Sequence, residues 1–123
     1  MKSKSNLHIL ALVVISMFSF SFVGIAQSGS SKTLVVKTNI YCDHCLDCGD
    51  CGGKLVHELS FEKGIKTNVV DPKAMTITIT YNSEKTTPEK LREAISKLGF
   101  DADDVKADLT AYNKLDGCCK KPE

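Results

Sequence analysis

Four cysteines recur at every third position in the first half of the chain. They are Cys42, Cys45, Cys48 and Cys51, in the stretch NIYCDHCLDCGDCGGK, so that three Cys-x-x-Cys pairs overlap within ten residues. A pair of this kind at the start of a helix either binds a soft metal ion through both sulfurs or cycles between dithiol and disulfide. A helix amino end lowers thiol pKa, which favours both uses. Sulfur ligands select Cu(I), Zn, Cd or Hg over Mg or Ca.

Further potential ligands lie beside this cluster and at the end of the chain. His44 stands between the first two cysteines and could donate an imidazole nitrogen. Cys118 and Cys119 are adjacent. They are either extra metal ligands or a handle for metal transfer, or they belong to a loose tail with a disulfide or free thiols. About eleven residues lead to them, and an extended chain covers about 3.3 Å per residue, so they can return to the cysteine loop. His57 lies off the apolar face of a predicted helix, so we expect it at the surface.

The first 26 residues have the layout of a secretory signal peptide. Two lysines precede an apolar run that starts at Ile9, and Gly24 and Ala26 are small residues suited to a cleavage site. The alternative is an uncleaved anchor, because residues 9–26 approach the length that crosses a bilayer. We expect an exported protein, periplasmic or secreted, that touches the membrane only through this segment before cleavage near Ala26.

The charge balance argues against a nucleic-acid partner. The chain has 16 Lys and Arg against 15 Asp and Glu, and loss of the two lysines in the signal segment changes its formal net charge from +1 to −1. Acidic and basic residues alternate, without the basic stripe that nucleic-acid binding requires. All six cysteines follow the signal segment. In an oxidising compartment they could form three disulfides, with 15 possible connectivities.

The remaining sequence predicts alternating strands and helices. After a polar linker at 27–32, β-branched or alternating segments predict strands at 33–40, 65–71, 75–81 and 100–107. Helices are predicted from Cys51 to a stop near Gly64, and from a Thr-Thr-Pro start at 86–88 to Gly99. This order, with both helices against one face of a four-stranded antiparallel sheet, is the α+β ferredoxin-like βαββαβ sandwich.

Apolar spacing predicts which faces are buried. Three residue sets are each expected on one side of an element: Cys51, Leu55 and Leu59 in the first helix; Leu91, Ala94, Ile95 and Leu98 in the second; and Met75, Ile77, Ile79 and Tyr81 in the third strand. In the second strand the alternation groups Ile65, Thr67 and Val69 on one side.

The element order, with Cys-x-x-Cys between the first strand and first helix, resembles the heavy-metal-associated (HMA) domain family. That family includes copper chaperones, metal-binding modules of metal-pumping ATPases and periplasmic mercury-binding proteins. Its motif, apolar-x-Cys-x-x-Cys with apolar residues four and eight positions later, fits in two registers. The strand-side register uses Ile40 with Cys42 and Cys45, and the helix-side register uses Leu46 with Cys48 and Cys51. The two differ by six residues, as in an enlarged metal loop.

The resemblance implies a domain at 33–107, a cysteine-containing tail at 108–123, and a soft metal ion, Cu(I) or Zn above others. We assign Cys48 and Cys51 as the core pair and Cys42 and Cys45 as added ligands, with His44, Cys118 and Cys119 as further candidates. The implied function is an exported metal carrier or scavenger, not an enzyme, that passes its ion by ligand exchange to a partner such as a metal-transporting membrane protein. Phe100 would either shield the site or be a core aromatic residue.

Three other readings remain open. A secreted thiol–disulfide redox protein would use Cys48 and Cys51, although the order of elements is not that of a thioredoxin. An iron–sulfur cluster is disfavoured because the last cysteine gap is two residues and Gly52, not proline, follows. Purely structural disulfides are the third reading, and cysteines three residues apart can be bridged only with particular backbone geometry.

Overall fold

The computed structural model describes residues 30–42 and 51–122. Its elements are β1 (Ser31–Lys37), α1 (Gly52–Leu59), β2 (Ile65–Asp71), β3 (Thr76–Asn82), α2 (Pro88–Lys97), α3 (Leu109–Lys114) and a 3-10 turn (Gly117–Cys119). Within these two ranges no helix has the length and apolar character needed to cross a membrane. The predicted signal segment and three candidate ligands, His44, Cys45 and Cys48, lie outside the described residues.

β3 is the centre of a three-stranded antiparallel sheet. The strand order is β1-β3-β2, and Ile79 lies opposite Leu34 on one side and Asn68 on the other. Sheet and helices together enclose a core that includes Val36, Ile40, Leu55, Leu59, Val70, Ile77, Ile79, Leu91, Ile95 and Phe100. This arrangement has the α+β character of the predicted ferredoxin-like fold, and the described residues form three of the four predicted strands.

The alternation in β3 is confirmed apart from its first residue. Ile77, Ile79 and Tyr81 are buried, while the threonines between them are half-buried. Met75, predicted to share their face, is 42% exposed and has a φ of 51°. It still belongs to the turn before β3, where the Asp71 carboxylate accepts two backbone N–H groups at 3.0 Å. The turn thus includes Met75, one residue more than the alternating pattern predicted.

The predicted face of β2 is wrong because the strand contains an irregularity. Its register against β3 shifts between Ile65 and Thr67. A bulge of this kind changes which side chains point inward beyond it. Val70 is accordingly buried, at 4% exposure, whereas Val69 is 64% exposed.

Both predicted helix faces are confirmed. Cys51, Leu55 and Leu59 have no exposed surface, so the face that begins with the cysteine turns entirely into the core. In α2 the Thr87 side chain accepts a backbone N–H of the first turn at 3.4 Å, and Pro88 is the first helical residue. These are the cap and the starting residue that stabilise a helix amino end.

The predicted fourth strand at 100–107 is wrong. In this described segment the only β-type pairing is an isolated bridge between Ala102 and Val105. Asp101, Asp103 and Asp104 have low strand propensity, and Asp103 has a φ of 55°, which ends any extended run.

Asp103 joins this segment to β1 in place of a ladder. Its backbone N–H donates to the Lys37 carbonyl at 2.9 Å, and its carboxylate accepts the Lys37 N–H at 2.8 Å. The other carboxylate oxygen accepts from Arg92 Nε, also at 2.8 Å. Burial alone would raise the pKa of Asp103, but the hydrogen bonds from Arg92 and Lys37 outweigh it and lower the pKa. The ionised carboxylate therefore stabilises the fold.

The tail is attached to α2 by a short series of hydrogen bonds. Ser96 Oγ donates to the Lys106 carbonyl at 2.6 Å, and the Asp108 N–H donates to the Ser96 carbonyl at 2.9 Å. The Asp108 carboxylate then accepts the Ala111 N–H at 2.8 Å and caps α3. These contacts fix the position of α3, from which the chain continues to Cys118 and Cys119.

Gly99 permits α3 to approach the end of α2. Its φ is +94°, and a Cβ added there would lie 2.9 Å from the backbone of both Ala111 and Tyr112. Only glycine satisfies both the positive φ and the close approach of a second backbone.

We expect Asp103→Asn to destabilise the protein by about 1–2 kcal/mol at pH 7, because it removes the charge from two hydrogen bonds. The folded-state pKa of Asp103 lies below its unfolded value. The stabilisation is therefore present above the unfolded value and is lost as the pH falls through the folded one. Urea unfolding of variant and parent from pH 7 down to about pH 2 should show the difference shrinking towards zero. Asp104→Asn, at an exposed neighbour, is the control, and an equal effect of both variants would contradict the assignment.

Gly99→Ala should destabilise the fold by about 1–3 kcal/mol, from the strained φ and the clash with α3. Gly117→Ala is the matched control, because a Cβ there meets nothing within 4 Å. It should change stability by no more than about 0.5 kcal/mol. Urea denaturation followed by circular dichroism measures both. Equal stability of Gly99→Ala and the parent would mean that the approach of α3 does not need glycine.

Candidate metal centre

Three cysteine sulfurs form a cluster, and one of them comes from the distant tail. The Sγ atoms of Cys42, Cys51 and Cys118 all lie within 4.8 Å of one another, and those of Cys51 and Cys118 are 3.8 Å apart. A cation bound at about 2.3 Å by three thiolates in a plane keeps the sulfurs about 4.0 Å apart. The cluster is therefore of the size that a soft cation needs, with only small shifts of the side chains.

A different element positions each sulfur. Cys42 follows β1 and packs against the core just after the buried Ile40. Cys51 is the residue before α1, and its carbonyl accepts the Leu55 N–H at 2.9 Å as the first hydrogen bond of the helix. Cys118 lies in the 3-10 turn of the tail and is exposed. The positive end of the α1 dipole favours negative charge on sulfurs placed here.

A disulfide joins Cys51 to Cys119, with the two Cα atoms 5.5 Å apart. Both cysteines are buried, at 0% and 2% exposure. Cys118 contacts both ends of this bridge, since its Sγ lies 3.8 Å from that of Cys51 and 4.0 Å from that of Cys119. A bridged sulfur is not a thiolate, and the thiolate is the form that binds metals. Cys51 can therefore act as a thiolate ligand only when the bridge is reduced.

A cleft of about 420 Å³ opens beside the bridge, and Cys119 forms part of its wall. Tyr41, Phe100 and Tyr112 supply aromatic surface to the same cleft. Phe100 is 3% exposed and belongs to the core. The expectation of a core aromatic residue is therefore confirmed, and the expectation that Phe100 shields the site stays a prediction.

The predicted site residues fall into two groups. Cys42, Cys51 and Cys118 lie together, and Cys119 is bonded to Cys51. Cys45, Cys48 and His44 lie outside the described residues, so the assignment of Cys48 and Cys51 as the core pair stays a prediction. His57 is on the surface, as expected, with 68% of its side chain exposed and its ring edge-on to Phe61.

Sequence reasoning did not find the bond between Cys51 and Cys119. The available signal was the length of the tail, which allowed its cysteines to return to the loop. The choice of partner could not be read from spacing, because disulfide connectivity is not encoded in the order of cysteines.

Comparison with known proteins identifies the domain. The family described as "Heavy-metal-associated domain" matches residues 34–101, more than half of the chain. No curated protein matches the sequence. The family match supports metal binding through cysteines.

Solved structures with a similar fold share little sequence with this chain. "Solution structure of the putative copper-ion-binding protein from Bacillus anthracis str. Ames" aligns with a TM-score of 0.50 and 18% identity, covering 62% of this chain and 100% of that one. The CopZ metallochaperone gives 0.47 and 17%, covering 58% and 98%. The yeast copper transporter domain CCC2A gives 0.47 and 18%, covering 63% and 99%. With its family match across residues 34–101, the chain belongs to the heavy-metal-associated domain family.

Proposed function

We propose that this protein is an exported carrier or scavenger that binds a soft heavy-metal ion through cysteine thiolates. The observation that carries the proposal is the approach of three sulfurs, those of Cys42, Cys51 and Cys118, to within 4.8 Å of one another. Such close sulfurs suit a soft cation, because each thiolate replaces part of its hydration shell. The family match supports the same conclusion.

Cu(I) and Zn(II) are the proposed cargo, with Cd(II) and Hg(II) in the same chemical class. Thiolate ligands select these cations over Mg and Ca. The Bacillus anthracis protein of similar fold is named for copper-ion binding, which makes Cu(I) the first ion to test. In this proposal the protein captures the ion with thiolates and releases it by stepwise ligand exchange to a partner such as a metal-transporting membrane protein. No covalent bond of a substrate is made or broken.

The competing function is a secreted thiol–disulfide redox protein that uses Cys48 and Cys51. A disulfide that involves Cys51 favours some redox chemistry at this residue. However, catalytic cysteines are partly accessible to their substrates, and both bridged cysteines are buried. We therefore keep metal carriage as the function, and catalytic oxidation of dithiol substrates by the purified protein would favour the alternative.

The double variant Cys48→Ser/Cys51→Ser should lose tight binding of Cu(I) and Zn(II), because it removes the proposed core pair. Affinity is measured on reduced protein by competition with a chromogenic chelator. His57→Asn is the control, since that exposed imidazole lies outside the cysteine cluster, and it should bind as the parent does. If the double variant binds like the parent, the core-pair assignment is wrong. If the reduced parent binds neither ion, metal carriage itself is wrong.

Export predicts a mature chain that begins at Gln27. The intact mass of protein recovered from the producing cell should correspond to residues 27–123, and Ala26→Lys should block cleavage because lysine does not fit the small-residue position. Retention of the full 123-residue mass in the parent would instead favour an uncleaved anchor.

A further inference from the structure

We propose that the tail is part of the metal site, with its two adjacent cysteines acting in opposite directions. In the reduced protein, Cys118 is the third thiolate ligand beside Cys42 and Cys51. In the oxidised protein, Cys119 closes the site by holding Cys51 in a disulfide. This inference rests on the proposed function and extends it from the loop to the tail, which lies beyond the matched residues 34–101.

The geometry places Cys118 with the loop sulfurs, although 67 positions separate it from Cys51. Its Sγ lies 3.8 Å from that of Cys51 and within 4.8 Å of that of Cys42. Three thiolates around one cation at bonds of about 2.3 Å need separations of about 4.0 Å. Cys118 therefore already has the required distance from Cys51, and small shifts of the side chains would complete the site with Cys42.

The position of Cys118 does not depend on the bridge alone. The Cys119 N–H donates to the Asp116 carbonyl at 2.9 Å, which forms the 3-10 turn around Cys118. Leu115, just before this turn, is buried at 7% exposure, and the Lys121 N–H donates to Tyr112 Oη at 3.1 Å just after it. These contacts hold the turn against the domain on both sides. We therefore expect Cys118 to stay near the loop after the bridge is reduced.

Cys119 and a metal ion compete for the same sulfur. While Cys51 is bonded to Cys119, it has no negative charge to offer a cation. A small dithiol reductant opens the bridge by giving up two electrons and two protons. The S–S bond breaks, Cys51 and Cys119 each become thiols, and the reductant becomes a disulfide. A cation that then binds displaces the thiol protons to solvent.

The two cysteines also differ in exposure, which matches the two roles. Cys118 is exposed, so a cation or an exchanging partner ligand can reach the site at this sulfur. The bridge is buried, with Cys119 at 2% exposure and Cys51 fully covered. A buried disulfide is protected from exchange with thiols in solution, whereas an accessible thiolate ligand suits transfer of the metal ion to a partner.

Cys118→Ser and Cys119→Ser, in the full mature chain, form a matched pair that tests the ligand. Each replaces one sulfur by oxygen at neighbouring positions. Binding of Cd(II) is followed by its sulfur charge-transfer absorption under anaerobic reducing conditions, where no bridge is present. We expect Cys118→Ser to weaken binding by at least about tenfold, as even outer-shell changes at metal sites commonly do. Cys119→Ser should remain within about twofold of the parent.

The closure is tested in the parent protein by asking whether bound metal prevents formation of the disulfide between Cys51 and Cys119. Reduced protein, with and without one equivalent of the redox-inert Cd(II), is treated with a small-molecule disulfide. Bridge formation between Cys51 and Cys119 is then followed by differential alkylation and peptide mapping. The metal-free protein should form the bridge, and the loaded protein should form it at least about tenfold more slowly, because Cys51 is held as a ligand.

The outcomes separate this inference from the proposed function. Equal binding by Cys118→Ser and the parent would overturn the tail ligand while leaving the loop site intact. Bridge formation at the same rate with and without Cd(II) would overturn the closure. If the reduced parent binds none of Cd(II), Cu(I) and Zn(II), the proposed function itself is wrong. Circular dichroism of each variant checks that its fold is unchanged.

Discussion

The complete burial of Cys51 is the constraint on which the rest of this site depends. The residue immediately precedes α1, and Leu55 and Leu59 continue its face into the core, so the helix phase turns its sulfur inward. An inward sulfur at a helix start is covered by other parts of the same chain. The segment after β1 brings Cys42 to it, and the tail brings Cys118 and Cys119 from more than 60 positions along the chain.

The path of the tail follows from the absence of a regular strand at residues 100–107. A regular fourth strand would have carried the chain along β1 in a ladder of main-chain bonds. In the structure the Asp103 carboxylate instead bonds to Lys37 and Arg92. The residues that follow then pack back against the end of α2, where they contact Ser96 and Gly99. Side-chain anchors and one glycine thus perform the positioning that strand pairing performs elsewhere in the sheet.

The sequence was sufficient for the elements whose pattern is local. The α1 face, the capped start of α2 and the alternation of β3 all rest on neighbouring residues, and all were predicted. The face of β2 was missed because a bulge is set by pairing with β3, which the strand's own residues do not reveal. The Cys51–Cys119 bond was missed for a related reason, since it joins segments that only the folded chain brings together. Pairings between distant segments cannot be predicted from the periodicity of apolar residues within one segment.

The long loop closed by Cys51 and Cys119 has a thermodynamic consequence. Cross-linking residues 68 positions apart restricts the unfolded chain enough to stabilise the fold by about 4 kcal/mol in the chain-entropy account. A cation shared by Cys51 and Cys118 would close a loop of nearly the same length. Either the disulfide or a bound metal ion would then link the start of α1 to the tail. The conformational stability of this small protein would then depend on whether these sulfurs are bridged or bound to metal. The reduced, metal-free chain would be the form most open to proteolysis.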